Sequence, residues 1–223
     1  MKKELIINGF IKLISGFIIL MLLIFLSAGT LRFLNGWLFI GLLFIPMLIM
    51  GIVLLIKNPA LLEKRLNGKE KESKQKGVVA LSGIMFLAGF VVAGLNYRFD
   101  WWTLPDWCVI AASVVFLLSY VMYAEVLREN TYLSRTIEVQ EKQKVIDTGL
   151  YGIVRHPMYS ETILMFLAIP LILGSLIALF IFLAYPLAIA LRISNEEEVL
   201  EKGLAGYSEY KKKVKYRIIP FIW

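Results

Sequence analysis

A chain of 223 residues that is 59% hydrophobic and only 18% charged is far more apolar than a soluble domain, which sits at about 45 to 50%. One cysteine and one histidine exclude a disulfide framework and leave too few ligands for a zinc centre, so no metal is expected. A formal charge of +7 would suit nucleic acid in a soluble protein; with a mean hydropathy of +0.73 it is explained by cytoplasmic loops and anionic lipid, and no nucleic-acid partner is expected.

The apolar run from Gly9 to Gly29 is too long for a cleaved leader and reads as a first membrane helix. Gly36 to Ile56 forms a second, which Pro46 is expected to bend. Lys57 to Lys76, opened by Asn58-Pro59 and dense in charge, reads as a solvated linker. A third span covers Val78 to Asn96, where Gly83, Gly89 and Gly94 suit close helix packing in lipid. Tyr97, Phe99, Trp101, Trp102 and Trp107 then form an aromatic belt, and a fourth span runs from Trp107 to Leu127. Beyond a polar stretch from Arg128 to Arg155, Tyr159 to Leu173 and Ser175 to Leu191 are apolar but short for a hydrocarbon core of ~30 Å. They read as a tight helical hairpin turning at Gly174-Ser175, with kinks at Pro170 and Pro186.

Of the 24 Lys and Arg, all but Lys12, Arg32 and Arg98 precede the first span, lie in the second or fourth connection, or follow the last span. Six crossings with both termini cytoplasmic place that excess on one side. The expected fold is an all-α integral membrane protein with about six membrane helices, the last two a short helical hairpin, plus a cytoplasmic C-terminal helix.

Candidate chemistry gathers at Gly149-Leu150-Tyr151-Gly152-Ile153-Val154-Arg155-His156-Pro157-Met158-Tyr159, which carries the sole histidine between a permanent fork-shaped donor and a helix-starting proline. The bland alternative is that Arg155 and His156 merely face lipid headgroups. Arg192 and Glu196 are four apart, so on one continuous helix they share a face and suit an ion pair or a common polar ligand. If Ser194 or Asn195 instead caps a new helix, Glu196, Glu197 and Glu198 only complement its dipole. Lys211 to Arg217, followed by Trp223, reads as a basic and aromatic surface anchor. Neither a Walker loop nor a dinucleotide fingerprint is present.

The ordered set Thr148-Gly149-Leu150-Tyr151, Arg155-His156-Pro157-Met158-Tyr159 and Arg192-x-x-x-Glu196-Glu197 resembles the isoprenylcysteine carboxyl methyltransferase family, related to phospholipid methyltransferases. Glu129 to Arg135, Leu204 to Tyr210 and Val214 to Pro220 resemble its bacterial branch. The resemblance spans roughly Tyr97 to Trp223. It implies N-terminal transmembrane helices over 1–96 and a methyltransferase-like membrane domain over 97–223, with S-adenosyl-L-methionine bound at the cytoplasmic face of a prokaryotic cytoplasmic membrane. Carried over residue by residue, cofactor contacts fall on Gln140, Gln143, Lys144, Val145, Ile146, Tyr151, His156, Pro157, Met158, Tyr159 and Glu196. Arg192 matches the position facing the methyl acceptor, with Arg192 and Glu196 as the residues closest to catalysis.

The implied acceptor is a lipophilic molecule from the bilayer, first of all a prenylcysteine-type carboxylate, with no obligate protein partner. A phospholipid or other amine N-methyltransferase, an NADPH-dependent reductase of the sterol reductase type and a non-enzymatic membrane scaffold are the competing readings. Three positions depart from the family pattern: Leu150 replaces a proline, Gln143 a histidine, and Glu161 the glycine two residues after the motif tyrosine. Glu161 puts an ionisable group at the mouth of a membrane helix, which makes it a candidate acceptor contact.

Overall fold

Each long apolar run folds as a helix in the computed structural model, which describes residues 2–67, 73–134, 136–137 and 139–223. Lys69, Lys71 and Arg135, which entered the charge asymmetry and the motif comparison, lie outside the described residues. The elements are α1 (Lys2–Met21) running into a π-helical turn (Leu22–Leu26), α2 (Leu34–Lys57), α3 (Pro59–Leu66), α4 (Ser73–Phe99) and α5 (Asp106–Glu129). A 3-10 turn (Gly149–Gly152), α6 (Pro157–Ile172), α7 (Leu176–Phe182), α8 (Ala184–Gly203) and α9 (Tyr207–Lys213) complete the chain. Among the described residues there is no strand; one isolated bridge joins Thr103 to Ser175.

Five helical stretches are long and apolar enough to cross a membrane: Lys3–Leu26, Leu34–Lys57, Gln75–Phe99, Asp106–Glu129 and Leu176–Gly203. The sixth apolar helix, Pro157–Ile172, has 16 residues and so spans only about 24 Å. The protein is thus an all-α integral membrane protein, and its outer surface carries large bare hydrophobes such as Phe10, Leu26, Ile56, Trp107 and Val121 that only lipid would cover.

The hairpin turns where its sequence indicates, but its second arm is not short: Leu176–Gly203 covers 28 residues, past the expected end at Leu191, and α6 runs on through Pro170. Gly174 adopts φ 70°, and Ser175 caps α7 by accepting from the Ala178 N–H at 3.2 Å. The break in the second arm falls at Leu183, one residue after α7 ends, rather than at Pro186 itself. Proline lacks an N–H and clashes with the carbonyl four residues back, here that of Phe182, so the helix restarts ahead of it. α2 continues through Pro46 without interruption.

Packing is dense where the spans meet. Phe39, Phe90, Phe116 and Phe182 bring α2, α4, α5 and α7 together with ring centroids 5.8 to 6.0 Å apart. A Cβ on Gly94 would stand 1.9 Å from Ser27 Oγ and 2.6 Å from the Ile24 carbonyl, so α4 crosses the π turn at backbone distance. Gly89 likewise leaves room for the Phe182 ring.

The expected linker is only partly one. Asn58 caps α3 by accepting from the Leu61 N–H at 3.1 Å, Leu61 is buried against Val126 and Leu127, and Arg65 donates to the Ser134 carbonyl at 3.1 Å. α3 is therefore a docked helix whose charge density disguised one apolar face. α4 also starts earlier than hydropathy indicates, at Ser73, with Gln75 fully buried.

Candidate functional site

The C-terminal half of α8, the start of α6, α9 and residues 130, 132–134, 136–137 and 143–146 enclose a cavity of about 830 Å³, its open mouth included. Its walls hold Gln143, Lys144, Val145 and Ile146 from the loop, Tyr151 from the 3-10 turn, His156, Met158 and Tyr159 from the α6 start, and Arg192 and Glu196 from α8.

Three residues expected here sit elsewhere. Gln140 braces the loop from behind: its amide donates to the Tyr132 carbonyl and accepts from Lys64 Nζ, both at 2.5 Å. Pro157 occupies the first turn of α6, as its missing N–H favours, and is buried outside the cavity. Glu161 is buried one turn further along α6, away from the cavity wall.

Arg192 and Glu196 do face one way on a continuous α8, but no direct bond joins them. The Tyr159 hydroxyl stands between, accepting from Arg192 Nε at 2.9 Å and donating to Glu196 Oε2 at 2.5 Å. Arg192 Nη1 donates to Gln75 Oε1 at 3.1 Å, so the start of α4 helps hold the arginine. Neither Ser194 nor Asn195 starts a new helix.

Arg155 and His156 face inward rather than toward headgroups. The next acidic residue, Glu197, collects them: Oε1 accepts from Arg155 Nε at 2.8 Å and lies 3.2 Å from His156 Nε2. Oε2 accepts from Arg217 Nη2 at 3.1 Å, with Lys211 Nζ at 3.7 Å. Arg155 also donates to the Val214 and Lys215 carbonyls at 2.8 and 2.7 Å, while the His156 N–H donates to the Arg217 carbonyl at 2.9 Å. The motif therefore pins the C-terminal segment over the cavity. With Nε2 turned to Glu197, the ring edge carrying Nδ1 is what His156 has left for a ligand.

Tyr207 and Tyr210 line the same wall from α9, and sequence reasoning assigned them no role. Their i, i+3 spacing behind a left-handed Gly206 was the available signal. Tyr210 donates to the Tyr151 carbonyl at 2.7 Å, and Asn130 donates to the Tyr151 hydroxyl at 3.0 Å. Burial pushes the Tyr151 phenol up to about 12, and burial raises Tyr207 and Tyr210 as well, so all three stay neutral at physiological pH. On the lipid side, α2 and α5 leave an apolar groove lined by Pro46, Ile49, Val53, Tyr120, Val121 and Ala124.

Residues 107–205 match the family model of phospholipid methyltransferases. The matched segment holds α5 through α8, hence most of the cavity, and ends just before α9. The chain is also similar to Delta(14)-sterol reductase TM7SF2 of Mus musculus, 33% identical over 91 residues. That similarity takes in 40% of this chain and 22% of the reductase, so the chain spans well under a third of its relative's length.

Proposed function

We propose that the protein is an S-adenosylmethionine-dependent integral membrane methyltransferase acting on a lipophilic acceptor. The observation that carries this reading is the Arg192–Tyr159–Glu196 chain on the wall of a cavity within the segment matched to phospholipid methyltransferases. The donor set fits the cofactor: Val145, Leu200 and Leu204 form an apolar slot for an adenine, the Glu196 carboxylate suits ribose hydroxyls or an ammonium, and His156 lies near the helix start. When bound, the cofactor supplies a methyl group activated by the adjoining sulfonium. The protein's share is alignment and exclusion of water, for which the buried Tyr159 bridge and the pinned C-terminal segment are built.

For the acceptor, a prenylcysteine-type carboxylate oriented by Arg192 is the O-methylation reading. An amine acceptor is the second, favoured by the engagement of Arg192 Nε and Nη1 with Tyr159 and Gln75. The groove between α2 and α5 supports lateral arrival of a hydrocarbon chain. Cavity and termini are taken to face the cytoplasm, following the charge asymmetry.

The similarity to a sterol reductase motivates one competing reading, a nicotinamide-dependent reductase. Calorimetry on purified protein separates the two. Micromolar binding of S-adenosylhomocysteine, about 8 kcal/mol, is expected, and its absence together with NADPH binding would overturn the methyltransferase reading. Isotope-labelled methyl donor followed by mass spectrometry of lipids identifies the product class.

A further inference from the structure

Three large hydrophobes close in sequence, Ile219, Phe221 and Ile222, are 47%, 86% and 76% exposed, and the methyltransferase reading gives them no task. They follow a basic run whose members differ in what they do. Lys211 and Lys213 are paired with Glu201 and Asp147, whereas Lys212 and Lys215 are exposed and have no acidic partner among the described residues.

The turn that carries the hydrophobes is closed on itself. The Ile218 and Ile219 N–H groups both donate to the Trp223 carbonyl at 3.0 Å, and the Ile222 and Trp223 N–H groups donate to the Ile219 carbonyl at 3.2 and 3.1 Å. Pro220 has no N–H to satisfy. A segment with these donors already paired can enter an apolar phase without leaving them unsatisfied. Phe221 takes φ 67°, a left-handed conformation that a bulky residue seldom adopts, and its side chain is the most exposed of the three.

The position of the turn brings it to lipid. Ile218 belongs to the core that the membrane spans share, Trp223 packs against that core, and the Ser160 hydroxyl in the first turn of α6 donates to the Ile218 carbonyl at 2.6 Å. The turn therefore stands at the entrance of α6, the helix of 16 residues that covers only about 24 Å of a hydrocarbon core of ~30 Å. Arg217 lies over the Trp223 ring, 5.1 Å from its centroid, an amphipathic pair suited to the headgroup level.

We propose that the Ile218–Trp223 turn is a membrane-inserting loop whose partner is a lipid surface with acidic headgroups. Ile219, Phe221 and Ile222 enter the leaflet beside α6, and Lys212 and Lys215 draw the segment onto the headgroups. Through the bonds from Arg155, His156 and Ser160 the same segment roofs the cavity, so the leaflet holds that roof in place. The insertion is independent of what the cavity binds.

The test uses the full chain with Cys108→Ser, carrying a nitrobenzoxadiazole label either on Phe221→Cys or, as a reference, on Ser208→Cys of α9, in nanodiscs of phosphatidylcholine with or without phosphatidylglycerol. The label at 221 is expected to emit to the blue of the label at 208 and to be quenched at least twice as strongly by lipids bearing a nitroxide near the headgroup. Phosphatidylglycerol should deepen that quenching, and Lys212→Gln combined with Lys215→Gln should remove at least half of the gain. Phe221→Ser combined with Ile222→Ser alters two exposed positions, so the melting temperature in detergent should hold, while tryptic cleavage within 211–217 in vesicles should be at least threefold faster. A label at 221 that matches the one at 208 overturns the proposal. So does one that is shielded yet unquenched by lipid, as contact with a second copy would make it, or a double-serine variant cleaved at the wild-type rate. A lysine variant that keeps the full response to phosphatidylglycerol overturns the selection for acidic headgroups.

Discussion

Arg155 Nε lies 2.8 Å from Glu197 Oε1, and both side chains are about 95% or more buried. This pair joins the α6 entrance to α8, and through Arg217 and Lys211 the same carboxylate reaches the C-terminal segment. Removing one partner of such a buried pair leaves the other charges uncompensated, a cost of about 3–5 kcal/mol. Glu197→Gln is therefore expected to lower the melting temperature sharply in detergent and to loosen the tail. Limited proteolysis after Lys211 or Lys215 should speed up, and an unchanged cleavage rate would contradict the pinning role.

Tyr159→Phe tests the bridge. It removes one hydrogen bond to an arginine and one to a carboxylate, each worth about 1.5–3 kcal/mol because a charged group takes part. Cofactor affinity should fall at least tenfold while the helix content by circular dichroism is retained. Affinity equal to wild type would mean that Arg192 and Glu196 are held by other contacts.

Gly94→Ala probes the helix crossing rather than the chemistry. The added methyl would meet Ser27 Oγ and the Ile24 carbonyl at distances no real Cβ shows, so α4 or the π turn has to shift. Overpacking of this kind costs about 1–3 kcal/mol. Gly83→Ala, with no atom within 4 Å of the new Cβ, is the matched control and should be neutral in a thermal melt.

Acid should release α9 from the loop. The Lys213 ammonium, 2.7 Å away, hydrogen-bonds the Asp147 carboxyl and holds it below the ordinary carboxylate range. A carboxyl lowered in the folded state contributes stability that is present above its unfolded value, about 3.9, and is lost as pH falls from there through the folded value. Both side chains are exposed, so the effect is local. Hydrogen exchange of amides 143–149 should accelerate on going from pH 6 to pH 3, corrected for intrinsic rates, and Asp147→Asn should flatten that difference.

The apolar spans were legible because bilayer thickness imposes a length and composition that few other structures share, and the hairpin turn was legible because Gly174-Ser175 interrupts them. α3 was not, because its charged residues outnumber the one buried position, Leu61, that docks it. At the site, the stretch from Gln143 to Ile146 and the His156–Tyr159 motif converge with Arg192 and Glu196 on one cavity. What sequence spacing could not convey is the partner of each group. An i, i+4 pair indicates a shared face, whereas the Tyr159 hydroxyl between Arg192 and Glu196 comes from a residue 33 positions away from Arg192. Gln75 is more distant still, hidden in a stretch whose composition reads as solvent-facing.

The contacts made by α3 and the start of α4 bear on how this protein can be recombined. Lys64 steadies Gln140, Arg65 steadies Ser134, and Gln75 steadies Arg192, so three supports of the cavity come from outside the segment that matches phospholipid methyltransferases. A chimera that grafts residues 97–223 onto the membrane helices of another protein would keep the whole motif set and still lose those supports. Grafts that begin at Pro59 keep them, and that junction is where swapping of substrate-facing helices between relatives should start.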